Sequence, residues 1–183
     1  MRMPVAALAS ALLLAAGVAF PQAPGSSSPC RTPEARQFDF WLGTWDLTGR
    51  ARAQPGSDRW GETRSTNTIR STMNGCVTRE EFENVAPTRW TGMSVSVWNP
   101  RSHQWHQTWV DSQGSYIPLT GAFQDGRMIL VTPARALPTG DSIVNRMVFH
   151  DIARDSLVWD WEASRDGGRT WELLWSILYR RRK

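Results

Sequence analysis

From Gly43 onward the chain is a succession of alternating runs, each closed by a turn signal, and this constrains the fold more than any other feature. The runs fall at 44–53, 60–73, 76–85, 89–99, 103–111, 115–123, 127–133, 143–151, 155–164 and 170–181. Between them stand Gln54-Pro55-Gly56, Asn74-Gly75, Ala86-Pro87, Asn99-Pro100, Gln113-Gly114, Asp125-Gly126, Pro138-Thr139-Gly140 and Asp166-Gly167-Gly168. Asn-Gly and Asp-Gly between such runs favour tight hairpins, because type I′ turns need positive φ at both central residues. Strands joined one after another by hairpins make an antiparallel meander. A meander of this length hides its edges most simply by closing on itself. The expected fold is therefore all-β, an up-and-down antiparallel barrel of about ten strands. One short helix precedes it: Thr32 is a capping residue, Pro33 suits the first helical position, and Glu34 supplies an acid in the first turn of a helix ending near Trp41.

The N-terminus is organised differently. Arg2 precedes an uncharged apolar run from Val5 to Phe20, and Gly17-Val18-Ala19 offers small residues for cleavage. Residues 1–19 are expected to be a signal peptide removed on export rather than a membrane span, which places the product in the periplasm or outside the cell. Residues 20–31 form a Pro/Ser/Gly linker, and 32–183 form the barrel domain. An oxidising compartment suits the two cysteines, Cys30 and Cys76. With no third cysteine and no Cys-x-x-Cys, a structural disulfide between them is the expected outcome, worth roughly 4 kcal/mol by the loop-closure argument.

Charge excludes one class of function. The sequence holds 21 basic and 17 acidic residues, but Arg2 lies in the leader and Arg180-Arg181-Arg182-Lys183 lies in the tail. The body is close to neutral and shows no basic face interleaved with stacking aromatics, so nucleic acid is not an expected partner. Nor is stable membrane insertion expected.

The stretch Ser164-Arg165-Asp166-Gly167-Gly168-Arg169-Thr170-Trp171 has the spacing of the Asp-box of sialidase-like propellers. It occurs once, in a chain too short for a propeller. Its residues describe a hairpin: Asp166 bonds its own turn, Gly168 accepts positive φ, and Trp171 folds beneath the loop.

Phe38-Asp39-Phe40-Trp41-Leu42-Gly43-Thr44-Trp45 resembles the Gly-x-Trp opening of lipocalin-like (calycin) barrels. Further blocks follow in order: Asn74-Gly75-Cys76 with Glu80-Glu81, Trp105 to Asp111, Trp161 to Trp171, and Tyr179-Arg180. Together they resemble an exported bacterial family of domains of unknown function allied to the lipocalin and nitrobindin barrels. The resemblance implies that Gly43 and Trp45 close one end of the barrel and that Arg180 or Arg181 stacks on Trp45. Where that family tends to place Arg-Gln before Trp-Glu, this chain has Val158-Trp159.

Alternate residues of a strand face opposite sides. In the last strand Trp171, Leu173, Trp175, Ile177 and Tyr179 share one face, while Glu172, Ser176 and Arg180 share the other. Leu157, Trp159, Trp161 and Ala163 oppose Asp160 and Glu162, and Trp105, Gln107, Trp109 and Asp111 form a third set. The expected interior is aromatic with a few polar groups. Either the 11 tryptophans fill it completely, or they wall a pocket for a small apolar or aromatic ligand. For the pocket, Gln107 and Asp111 are the polar anchors, and Trp105, Trp109, Trp159, Trp161, Trp175 and Tyr179 the walls.

Catalytic templates such as Gly-x-Ser-x-Gly, His-Glu-x-x-His and the P-loop are absent from the sequence. The alternative is a lyase or isomerase using Asp111 as general base with His106, or a filled barrel acting as an interaction module. His103 and His106 fall on opposite faces of a strand and cannot share a metal ion. His150 is the third histidine, and a single axial histidine for haem is implied only through the nitrobindin likeness. No metal or cofactor is expected.

Overall fold

The computed structural model describes residues 29–183. The expected signal peptide and most of the linker lie outside the described residues.

Eleven strands follow in chain order: β1 Gly43–Arg52, β2 Trp60–Thr72, β3 Val77–Ala86, β4 Trp90–Asn99, β5 Gln104–Asp111, β6 Tyr116–Gln124, β7 Arg127–Val131, β8 Arg135–Ala136, β9 Ser142–His150, β10 Ser156–Ser164 and β11 Glu172–Arg181. Each long strand pairs antiparallel with its chain neighbour, and β11 returns to pair with β1, with Trp45 opposite Arg181 and Ala51 opposite Trp175. The ten long strands thus form a closed ring, which abolishes sheet edges. The two-residue β8 pairs only with β9 and stands outside the ring.

The expected helix is a short helical segment made of two 3₁₀ turns, Glu34–Arg36 and Asp39–Trp41. Thr32 Oγ1 accepts the Ala35 amide at its start. The buried residues recur every third position, Ala35, Phe38 and Trp41, which is the period of a 3₁₀ helix and aligns them on one face. A segment this short gains little from α-helical propagation, so burial of that face decides its form.

That face plugs one end of the barrel. Phe38 meets Trp105 edge to face at 4.7 Å between ring centroids, and Trp41 meets Phe149 at 5.0 Å. The Trp45 indole N–H donates to Trp41 O at 2.8 Å. The Arg181 guanidinium lies 4.0 Å from the Trp45 ring centroid and donates to the carbonyl oxygens of Leu42 and Phe40. Gly43, at φ +128°, leaves space for this guanidinium, which a Cβ would strike. The Cys30–Cys76 disulfide ties the segment before the plug to the start of β3.

Strand parity holds over most of β11 but fails at its start. A β-bulge shifts the register between Trp161 and Glu162, so that Trp161 pairs with Trp175 and Glu162 with Leu173. One extra residue transfers Leu173 and Trp171 to the outer face, where Arg146 lies 4.1 Å from the Trp171 ring centroid. Trp60 is also outside, flanked by Arg50 and Arg52. The tryptophans therefore do not all fill the interior.

Candidate functional site

The barrel interior is polar on one side and apolar on the other. β2, β3, β4 and β5 contribute the buried Ser65, Asn67, Thr78, Glu80, Asn84, Ser94, Ser96 and Gln107. The facing strands contribute Leu119, Met128, Leu130, Met147, Phe149, Leu157 and Ile177. Above the plug these two halves do not meet. They leave a cavity of about 200 Å³.

Nine aromatic rings line it, among them Phe82 from β3, Trp90 from β4, Trp109 from β5, Trp159 and Trp161 from β10, and Trp175 from β11. Trp159 and Trp161 stack with centroids 6.2 Å apart, and Trp159 meets Trp175 edge to face at 5.5 Å. Phe82 touches Trp90, Trp109 and Trp175. Gly92 makes room for one of these rings. A Cβ there would collide with the Trp109 indole, so only glycine lets that ring lie flat over β4. Ile117, Leu119, Met147 and Phe149 line the apolar side.

Glu80 is at the base of the cavity and is 5% exposed. Its Oε1 accepts from Asn67 Nδ2 at 2.6 Å, and its Oε2 accepts from Ser94 Oγ at 2.6 Å. Burial pushes the carboxyl up to about 7, against the pull of those two hydrogen bonds. Asn67 also donates to the Tyr179 hydroxyl at 3.2 Å, and burial, then the nearby Glu80, holds that phenol well above its ordinary range. Gln107 donates to Ser96 Oγ at 2.8 Å, and its Oε1 is buried without a partner. The Trp41 indole N–H lies beside the Tyr179 hydroxyl.

Asp111, where β5 ends, behaves oppositely. Burial pushes its carboxyl up, but hydrogen bonds from the Ser115 and Gln113 amides and the Trp109 indole outweigh it and hold the group below its ordinary range. It is therefore ionised at neutral pH. It also fixes the orientation of the Trp109 ring.

The sequence-predicted residues divide accordingly. Gln107, Trp109, Asp111, Trp159, Trp161, Trp175 and Tyr179 all line the cavity, and Trp105 does not. Trp105 belongs to the plugged end, where its indole N–H donates to Gln37 Oε1 at 3.1 Å. His106 faces outward and pairs with Ser102, so the structure does not bring it to Asp111. His150 bridges Asp151 and Asp160, and no histidine lines the cavity. Glu162 lies outside, paired with Arg146. Stacking on Trp45 falls to Arg181, because Arg180 is exposed on the outer face.

The Asp-box closes the β10–β11 hairpin. Asp166 accepts from the Arg169 and Thr170 amides and from the Thr170 and Ser164 hydroxyls, which together hold its carboxyl far below the usual range. Gly168, at φ +90°, takes the backbone round the turn, and the Trp171 indole N–H donates to Gly168 O.

Glu80, Phe82 and Trp90 were missed as site residues, and parity could have found the first two. In β3 the odd positions Arg79, Glu81 and Glu83 are charged, so the even positions Thr78, Glu80 and Phe82 must face inward.

A family described as "Protein of unknown function (DUF1579)" matches residues 32–181. The chain belongs to this family. No curated protein sequence matches it. Among solved structures it is similar to the S-type phycobiliprotein lyase CPES from Guillardia theta, with a TM-score of 0.58 and 12% sequence identity over 84% of this chain and 94% of that one. At that identity the likeness shows the barrel fold of the DUF1579 chain.

Proposed function

We propose that this barrel binds a small apolar or aromatic molecule in the cavity above the plug. The carrying observation is an interior of about 200 Å³ that is walled by nine aromatic rings and reached by only a few polar groups. Small-molecule sites share that composition, and the volume is below the roughly 300–1,000 Å³ of drug-sized sites, which limits the occupant to a compact molecule. The similar barrel of a protein named a phycobiliprotein lyase supports small-molecule work in this architecture. A filled barrel would leave no such space. The Cys30–Cys76 disulfide supports an extracytoplasmic site of action, after removal of residues 1–19 from the 32–183 domain and its linker.

Titration of tryptophan emission with 2-naphthol tests the proposal. Saturable quenching at one site is expected, and it should be lost in Ile117→Trp, which fills the cavity. Quenching that never saturates, or that is unchanged in Ile117→Trp, overturns the reading. Mass spectrometry of the natively purified protein then identifies any retained ligand.

A further inference from the structure

The charge of the cavity wall narrows the ligand further, an inference that rests on the pocket reading above. Of the residues lining the cavity, Glu80 and Asp111 are acids and none is Arg, Lys or His, although the chain holds 21 basic residues. The acids bracket the rings: Glu80 at the base, opposite Ser94, and Asp111 where β5 ends, opposite Gly92. An anion placed here would meet two carboxyl groups and negative ring faces. It would find no cationic partner.

The hydrogen-bonding inventory points the same way. The Trp109 and Trp175 indole N–H groups are occupied by Asp111 and Thr63. The Gln107 amide N–H is occupied by Ser96, which leaves Gln107 Oε1 as a buried acceptor without a donor, on a side chain only 3% exposed. The Glu80 oxygens accept one hydrogen bond each, and a carboxylate oxygen can accept two. The Trp41 indole N–H lies beside the Tyr179 hydroxyl. Glu80 and Gln107 Oε1 thus have room to accept from a guest that brings N–H groups and positive charge. Aromatic faces around an ammonium group add cation–π attraction, strongest for Trp.

The geometry points to an organic ammonium ion as the ligand, a protonated amine held by Glu80 and Gln107 Oε1, with its apolar body among Phe82, Trp90, Trp109, Trp159, Trp161 and Trp175. Binding should also eject a proton. The groups facing Glu80 are Asn67 from β2, Ser94 from β4 and Tyr179 from β11, and only Tyr179 titrates, far above neutrality. Near neutral pH Glu80 is therefore partly protonated, and an incoming cation favours its carboxylate form.

Three probes of one shape test this: phenethylammonium, 2-phenylethanol and 3-phenylpropionate, titrated calorimetrically into the wild-type protein near neutral pH. The ammonium should bind about ten-fold or more tighter than the alcohol, and the carboxylate most weakly. In two buffers of different ionisation heat, the ammonium alone should release protons. Glu80→Gln should bring the ammonium down to the level of the alcohol. If that variant does not fold, the wild-type series decides by itself. An alcohol or carboxylate that binds as tightly as the ammonium overturns the inference and leaves the pocket standing. Failure of all three overturns it too, and the 2-naphthol titration then shows whether the pocket reading falls with it.

Discussion

Replacing Glu80 by Gln should stabilise the protein increasingly as the pH rises above about 4.5. The carboxyl titrates at about 7 in the folded chain, against an ordinary value of 4.5, because it is buried at the base of the cavity. A raised acid means that the folded state holds its proton over a range in which the unfolded chain has lost it. Stability is then unaffected below about 4.5, falls as the pH rises through the window, and levels off above about 7. The interval amounts to about 3 kcal/mol of lost stability at alkaline pH. Gln keeps the shape and cannot ionise. Its oxygen can accept from Asn67 as Glu80 Oε1 does, and its amide can donate to the Ser94 hydroxyl, which reverses one hydrogen bond without deleting it.

Urea unfolding of both proteins from about pH 5 to about pH 9 isolates this effect, since the other titrating groups are common to the two and cancel in the difference. The variant should match the wild type within about 1 kcal/mol near pH 5, the worth of one altered hydrogen bond. It should exceed the wild type by about 3 kcal/mol near pH 9, or about 6–12 °C in Tm for a domain of this size. A stability difference that stays flat with pH would mean that Glu80 titrates alike in the folded and unfolded chains, and would refute the burial argument.

Arg181→Lys should cost about 1–2 kcal/mol in urea unfolding, because an ammonium cannot stack on Trp45 while donating to both Phe40 O and Leu42 O. Arg180→Lys, on the exposed face, should change stability by less than about 0.5 kcal/mol. Replacing both Cys30 and Cys76 by Ser opens a bridge with a sequence separation of 46 and should cost about 4 kcal/mol in the same assay. Asp166→Ala should strip hydrogen-exchange protection from the Arg169 and Thr170 amides while leaving 2-naphthol binding intact, since the Asp-box residues do not line the cavity.

The ring of strands was legible because its turns are local chemistry. Asn74-Gly75, Gln113-Gly114 and Asp125-Gly126 all place glycine at positive φ between strands, as their sequences require. The two-residue β8 carries no such signal, since it consists only of Arg135–Ala136 against the start of β9. Parity served until an insertion broke it: nothing in Glu172-Leu173-Leu174-Trp175 announces the bulge that sends Trp171 and Leu173 outward. The same alternation that puts Tyr179 inside also puts Arg181 on the side of Trp45 and Arg180 outside, so that choice lay within reach. Trp105 did not, because its fate depends on a plug packed across the barrel from Phe38 and Gln37, a tertiary contact that no local pattern encodes.

Why one end of an aromatic barrel is solid and the other hollow follows from what fills each. At the plugged end Phe38 and Trp41 enter from outside the sheet and occupy the axis, so Trp105, Phe149 and Trp45 find partners on all sides. At the other end the rings are anchored to the wall itself: Trp175 to Thr63, Trp109 to Asp111 and across Gly92, and Trp159 against Trp161. Rings tied to the wall cannot converge on the axis, and the centre is left empty. The polar stripe from β2 to β5 completes the division, since Glu80, Asn67 and Gln107 are too short to cross the lumen and too polar to be covered at no cost. An occupant that satisfies Gln107 Oε1 and fits between fixed rings would remove that cost, and this is the physical reason to regard the hollow end as a site rather than a packing defect.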